Sequence, residues 1–470
     1  MKLKHIAGAF VALLLAKFLW PLFRFDVPMG YDPGIYRYLF IQYEQALTSF
    51  SLPDLLPWAG EHPPGLFLAG AILMKLGISV DTLLSIFWNI TPVALALTLA
   101  WVKWKKLGVK VGVLVLLMAL LSQAYFDGFY AMYFKAYVAL IFVCLTYHFV
   151  EKFSPWFLLT AFLTVAIHHQ TGMVMALALG IWWVAKFPSQ RNNKAYRLYS
   201  MGILCIAALG LLVYLPHFER VFWSPFKSIF LLRGDNAPAG AFPEASFYLR
   251  TMPILLSLGA VGFVRSLKRE VGSVWQLSVI VCAVFIVFRL VFYKRFFLHL
   301  DFFLLPFAAE GLLWLWDRFV SQYARGVMII LLVVQAVISW KAMMLREPQL
   351  PMSALQDIVN MQEVLPEEAT VIALENVSGM WLLGWLPHYT VGAPGMFDVP
   401  DWTYEDWEIF IDGTTSERKL LLNAIHGEVY FYANALFTSY YGERAESVLA
   451  DPCLKKVPNT SLVRSSCSGS

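Results

Sequence analysis

From His5 to about Met344 the chain offers one long apolar run after another, each closed by a short polar break. A helix that crosses a bilayer needs about 20 consecutive, mostly apolar residues. The pattern therefore predicts a polytopic α-helical membrane protein with about eleven transmembrane helices. They fall at 4–23, 82–102, 111–126, 132–150, 155–168, 171–187, 198–216, 251–265, 273–292, 296–316 and 326–344, with 155–168 and 171–187 both short for a span. The apolar run Gly65–Leu76 follows Pro63-Pro64, stops at Gly77 and is too short for a span, so it reads as a helix lying in the membrane interface.

Beyond Glu347 the apolar runs shorten, acidic residues gather, and Gly, Pro and Asn punctuate the chain. This predicts two parts: a transmembrane domain over 1–346, whose first outer loop, 24–81, carries two interface helices, and a soluble C-terminal α/β domain over 347–470. Short strands are expected at Thr370–Leu374, Thr390–Val391 and Glu428–Tyr432. The tail Leu454–Ser466, with Pro458-Asn459 between two short runs, reads as a terminal hairpin that brings Cys453 towards Cys467.

Lys and Arg favour the cytoplasmic ends of spans. With Gly65–Leu76 kept out of the span list, the clusters Lys103–Lys110, Lys186–Arg197, Arg265-Lys268-Arg269 and Arg318 with Arg325 all fall inside. The N-terminus is then cytoplasmic, an odd number of spans places the C-terminal domain outside, and the expected location is the cell membrane. The first loop and the 217–250 loop lie on the same outer side. Lys2 and Lys4 before an apolar run resemble a signal peptide, but Trp20-Pro21-Leu22-Phe23 offers no small-residue cleavage site, so the segment is expected to stay as the first helix.

Composition agrees: 59% of residues are hydrophobic and 14% charged, too apolar for a water-soluble globule of 470 residues. The net charge of +4 is spread in small clusters between apolar runs, which gives no basic face for nucleic acid. No internal repeat marks the paired halves of many secondary transporters. Cys144, Cys205 and Cys282 lie inside apolar runs and read as small hydrophobes.

Chemistry gathers at the outer ends of the spans. Asp32 stands just past the first span, in Gly30-Tyr31-Asp32-Pro33-Gly34-Ile35-Tyr36, at the level of lipid headgroups. An Asp before Pro also starts helices as a cap. Glu61-His62-Pro63-Pro64 opens the second interface helix. Asp127, in Phe126-Asp127-Gly128, reads either as a turn or as a second site acid. Lys135 begins an apolar run, and Lys294-Arg295 closes another; each either contacts an anion or snorkels to the interface. His168-His169-Gln170-Thr171 is an outward polar break, suited to phosphate or acceptor contact or simply to ending a helix. Adjacent histidines on a helix diverge and form no metal pair by themselves.

In Asp32 with Tyr36, and in His62-Pro63-Pro64, the sequence resembles the GT-C class of membrane glycosyltransferases. The likeness is to the branch of protein O-mannosyltransferases and lipid A aminoarabinose transferases. The resemblance implies inverting transfer of a sugar from a polyprenyl-phosphate donor to a protein, lipid or glycan acceptor on the outer face. Asp32 would be the general base and Asp127 a second catalytic acid. His62, Lys135, Arg295, His168 and His169 would hold the donor, with Tyr36 and Glu61 in support. The branch often has Lys where His62 stands; an imidazole is mostly neutral near pH 7 unless Glu61 raises its protonation. Some members of the class use a divalent ion and others do not, and no pattern here indicates one. The competing readings are a transporter or flippase for a lipid-linked or small solute, and a non-catalytic subunit of a glycan-assembly complex. Trp381, Trp385, Trp402 and Trp407 fit a carbohydrate-stacking surface, although Trp is also an ordinary core residue.

Overall fold

The computed structural model describes residues 3–231, 240, 242–395, 397 and 399–467. Part of the 217–250 loop, at 232–239 and 241, lies outside the described residues. The chain divides into two compact units. The first comprises Met1–Phe23, Ala59–Ala69 and Ser85–Arg346, and the second Arg24–Trp58, Gly70–Leu84 and Glu347–Ser470.

In chain order the helices begin with α1 (Leu3–Arg24), α2 (Pro33–Ser49), α3 (Gly65–Lys75), α4 (Val80–Thr82) and α5 (Trp88–Leu107). Next come α6 (Val109–Leu121), α7 (Gln123–Tyr130), α8 (Phe134–Glu151), α9 (Trp156–Ile167), α10 (His169–Gln190) and α11 (Lys194–Tyr214). They continue with α12 (Ser224–Leu231), α13 (Ala245–Thr251), α14 (Pro253–Arg269), α15 (Val274–Val287), α16 (Phe296–Arg318) and α17 (Gln322–Met344).

Seven helical stretches among the described residues are long and apolar enough to cross a membrane, or nine if two bent pairs each count as one span. Of the sequence-expected spans, 111–126 is broken into α6 and α7 by a 59° bend, and 251–265 follows a 94° bend between α13 and α14. α9 and α15 are apolar but short; at 1.5 Å per residue, 12 residues of α9 extend about 18 Å against a hydrocarbon core of about 30 Å. The run 171–187 grows instead into the 22-residue α10. α3, expected as a short interface helix, has 11 residues.

Two features explain how the first unit packs. A Cβ on Gly262 would lie 1.8 Å from the Phe307 carbonyl oxygen, and one on Gly311 would lie 2.2 Å from that of Leu258. α14 and α16 therefore cross backbone to backbone, as small residues allow between membrane helices. At the α6–α7 break, the Ser122 hydroxyl accepts from the Tyr125 amide and so caps α7. Lys17 of α1 donates to the Leu120 carbonyl, freed by the break, at 2.7 Å, and to Ser339 Oγ of α17 at 3.0 Å.

The second unit adds α18 (Met352–Asn360), α19 (Asn376–Trp385), α20 (Tyr404–Asp412), α21 (Thr415–Asn423), α22 (Ala435–Tyr441) and α23 (Glu443–Leu449) to a five-stranded sheet. Its strands are β1 (Thr370–Ala373), β2 (Thr390–Gly392), β3 (Val429–Tyr432), β4 (Leu454–Lys456) and β5 (Leu462–Ser465), in the order β2-β1-β3-β5-β4. β1 pairs in parallel with β2 and β3, and β5 is antiparallel to β3 and β4. All four residues of β3 are buried, as a strand covered on both faces requires.

The predicted tail hairpin is β4–β5, and Cys453 and Cys467 across its base form a disulfide. Beneath α20 and α21 the Arg418 guanidinium donates to the Phe410 and Ile411 carbonyls and pairs with Asp451 at 3.1 Å, with both side chains almost wholly buried. Capping boxes at Thr403/Asp406 and Thr414/Glu417 fix where α20 and α21 begin. α2 belongs to this unit. Gly34 meets the Met380 backbone, and Gly384 meets Gly34, so α2 and α19 cross through glycines. Arg37 locks the crossing by donating to the Gly384 carbonyl at 2.7 Å and pairing with Asp81 at 3.4 Å.

Candidate functional site

In the second unit Asp32 occupies the position before Pro33, where α2 begins, yet its carboxylate makes no capping hydrogen bond. The conformational start signal is therefore met by Pro33, and the acid is not consumed by capping. Asp32 is half-buried, and Tyr36, one turn on, is buried and ring-packed with Phe40. Tyr31 donates to the Asn376 carbonyl at 3.4 Å, tying the loop to the first residue of α19. Burial and the negative charges of Asp32 and Glu375 hold the Tyr31 phenol well above its usual range, so it stays a donor.

In the first unit the five residues expected to hold a donor come together. Lys135 Nζ lies 2.8 Å from His62 Nδ1, and the ammonium also stands over the Phe67 ring. An ammonium has no lone pair, so His62 Nδ1 accepts and its proton sits on Nε2. Burial comes first among the causes that push the His62 pKa far down, followed by the charges of Lys135, His169 and Arg295. The ring is thus neutral, as expected of an imidazole near pH 7, and the exception left open for Glu61 does not arise: desolvation and three surrounding cationic or basic groups outweigh one neighbouring acid. His62 stays neutral, and Lys135 and Arg295 carry the positive charge.

Behind them, Thr171 Oγ1 sits 2.7 Å from both His168 Nδ1 and His299 Nε2. The Thr171 amide also points at His168 Nδ1, which makes that nitrogen the acceptor. The hydroxyl then donates to His168 and accepts from His299. His168 stacks on His299 and borders His169. Two buried nitrogens of the cluster, His169 Nδ1 and Arg295 Nε, have no hydrogen-bond partner among the described residues. His299 escaped the sequence reading, whereas Thr171 stood in the polar break His168-His169-Gln170-Thr171; the signal for His299 was its place four residues after Arg295, on the same helical face.

Asp127 sits inside α7 rather than in a turn, because the break falls earlier, at Ser122. It is 3% exposed, accepts from Gln123 at 2.8 Å, and pairs with Arg346 at 3.0 Å. Next to it Ser122 donates to Asp301 at 2.6 Å. Lys17, Asp301 and Arg346 were not singled out from sequence. Lys294 pairs with Glu244 at 2.7 Å, so of the pair Lys294-Arg295 it is the arginine that joins the cluster. Among the described residues no group of three or more His, Cys, Asp or Glu side chains is placed to hold a metal ion.

The chain has the fold of the GT-C membrane glycosyltransferases, a helical membrane part with a small α/β domain at its C-terminal end. It is similar to the oligosaccharyltransferase of Archaeoglobus fulgidus, solved with Zn and sulfate, with a TM-score of 0.65 and 14% identity over 98% of this chain and 73% of that one. It is also similar to ArnT of Cupriavidus metallidurans in the apo state, with a TM-score of 0.58 and 12% identity over 98% of both chains. For ArnT bound to undecaprenyl phosphate, the TM-score is 0.54 at 12% identity over 98% of this chain and 99% of that one. No protein-family model and no curated protein sequence matches the chain.

Proposed function

We propose that the protein is an inverting glycosyltransferase that moves a sugar from a polyprenyl-phosphate donor to an acceptor on the outer face of the membrane. The observation that carries this reading is the basic cluster of Lys135, Arg295, His62, His168 and His169, in which Arg295 Nε and His169 Nδ1 are buried without partners among the described residues. Buried polar groups left unsatisfied are costly, and a phosphate is the ligand that two cations and a set of imidazoles suit. The fold adds support, since ArnT was solved with undecaprenyl phosphate.

In this reading the acceptor oxygen attacks the anomeric carbon while Asp32 takes its proton. The bond from that carbon to the phosphate oxygen breaks, and the phosphate leaves with the electron pair. Lys135 and Arg295 stabilise the charge that develops on it, and neutral His62 offers an Nε2 proton. A general base contributes about 10²–10⁴-fold. Asp127, neutralised by Arg346, serves by anchoring the end of the last span rather than by taking a proton. The Cys453–Cys467 disulfide supports placing the C-terminal domain outside the cytoplasm.

The test is binding of a soluble polyprenyl-phosphate analogue by the chain in nanodiscs. Lys135→Met and Arg295→Met should each weaken it at least tenfold. Equal binding by both variants would remove the phosphate assignment.

A further inference from the structure

A second concavity lies wholly within the second unit, a cleft of about 410 Å³ between α20, α22 and the start of α19. Its floor is Trp402 and Trp407, whose rings meet edge to face at 4.8 Å and whose inner sides belong to the core around Phe410. Its walls are Tyr404 and Tyr440, which are 77% and 80% exposed. Core packing explains the tryptophans and leaves these two tyrosines unexplained, because large aromatic rings presented to water lose the burial that normally stabilises them.

The polar groups of the cleft are arranged in pairs. Tyr404 donates to the Glu408 carboxylate, and Arg444 makes a two-toothed pair with Asp412 while its guanidinium stands 5.4 Å from the Tyr441 ring. Charges of both signs are present and planar, so the cleft suits neither a polyanion nor a purely apolar chain. Flat aromatic faces beside a carboxylate and a guanidinium are what a pyranose ring needs: its C–H face lies on an aromatic ring while its hydroxyls donate to the carboxylate and accept from the guanidinium.

The cleft is also joined to the loop acid. Asn376 lines it, and the Asn376 carbonyl accepts from Tyr31, the residue before Asp32.

We infer that this cleft is a saccharide-binding subsite, and that the acceptor delivered towards Asp32 is a glycan. Only the word acceptor rests on the transferase reading; saccharide binding is measured without donor and stands or falls alone.

The experiment uses the full chain in nanodiscs and saturation-transfer NMR with mannotriose, chitotriose and the hydroxyl-bearing peptide Ac-Ser-Thr-Ser-NH2. At least one trisaccharide should receive saturation on its ring C–H protons. Its Kd should rise at least tenfold in both Tyr404→Ala and Tyr440→Ala, surface changes that leave the core intact. No saccharide binding, unchanged Kd in both variants, or binding of the peptide in place of the sugars would each overturn the inference. If saccharides bind as expected but Asp32→Asn still transfers sugar, the transferase mechanism fails and the cleft survives. If transfer depends on Asp32 while no saccharide binds, the cleft alone fails.

Discussion

Gly34→Ala is the substitution through which the structure speaks most quantitatively about how Asp32 is held. The new Cβ would lie 1.8 Å from the Met380 carbonyl oxygen, 2.6 Å from its carbonyl carbon and 2.8 Å from Trp381 Cα. Every one of these is backbone of α19, so no side chain can swing away. Ordinary contact begins near 3.4 Å, and α2 must therefore retreat by about 1.6 Å or tilt, since packed interiors absorb little. Two effects oppose each other. Ala is better than Gly in a helix interior by about 1 kcal/mol, whereas overpacking costs about 1–3 kcal/mol and more where backbones collide. The clash wins, for a net loss of docking stability of about 1–2 kcal/mol, or a factor of about 5–30. Hydrogen exchange reads this directly without any substrate: amides of residues 34–49 should exchange 5- to 30-fold faster, while those of α14 and α16 are unchanged. Since a displacement of about 1 Å at a reacting group costs on the order of 10²-fold, sugar transfer should fall by at least that factor while donor-analogue binding is retained. Unaltered exchange across α2, or full transfer activity, would refute the glycine crossing as the element that positions Asp32.

The basic cluster gives a pH prediction. His62 has its pKa depressed by burial, then by Lys135, so the stability gained from keeping it neutral is complete above 6.5 and declines as pH falls below that value. Binding of a phosphate-ester analogue whose own charge is constant should show no step from His62 between pH 6 and 8, and a step near 6.5 that vanishes in His62→Gln would contradict the assignment. Arg418→Met should cost about 3–5 kcal/mol, because Asp451 is left charged and buried; chemical denaturation should show the loss, and Arg418→Met with Asp451→Leu should recover much of it. Reduction of Cys453–Cys467, whose separation is 14 residues, should lower the stability of the second unit by about 3 kcal/mol on the loop-entropy model, seen as a lower denaturation midpoint in dithiothreitol. Gly262→Val should prevent α14 from reaching α16 and leave little folded protein in detergent, whereas Gly326→Ala, with open space around it, should be tolerated.

Much of this architecture was legible because its causes are local. Unbroken apolar runs specify helices wherever a bilayer is the solvent, and the short β-branched and aromatic runs at 370, 390 and 429 became β1, β2 and β3. The hairpin followed from two short runs about a Pro-Asn turn, which brought Cys453 towards Cys467 and left open the bond that the structure forms between them. The breaks were harder to see. At Ser122 the helix stops because a hydroxyl caps the next one and Lys17, more than 100 positions away in sequence, satisfies a freed carbonyl; no window of sequence contains both. For the same reason Asp127, read either as a turn residue or as a second site acid, was not seen to lie inside a helix. The five basic residues could each be named, but the backing of their cluster depends on His299, which joins Thr171 and His168 only through tertiary contact. The ordinary neutrality of an imidazole near pH 7 was legible for His62, but its sequence neighbour Glu61 left a rise in protonation open, because Lys135, His169 and Arg295 gather around the ring only on folding. Among the four singled-out tryptophans, Trp381 and Trp407 are core, and the exposed tyrosines beside Trp402 drew no notice in the sequence.

The central claim is that Asp32 is the base of a sugar transfer from a lipid-phosphate donor. The decisive measurement reconstitutes the chain in nanodiscs with radiolabelled polyprenyl-phosphate sugars and glycan acceptors and compares the wild type with Asp32→Asn. The account predicts that Asp32→Asn folds and binds the donor analogue like the wild type but transfers sugar at least a hundredfold more slowly. Transfer at the wild-type rate by Asp32→Asn would contradict it.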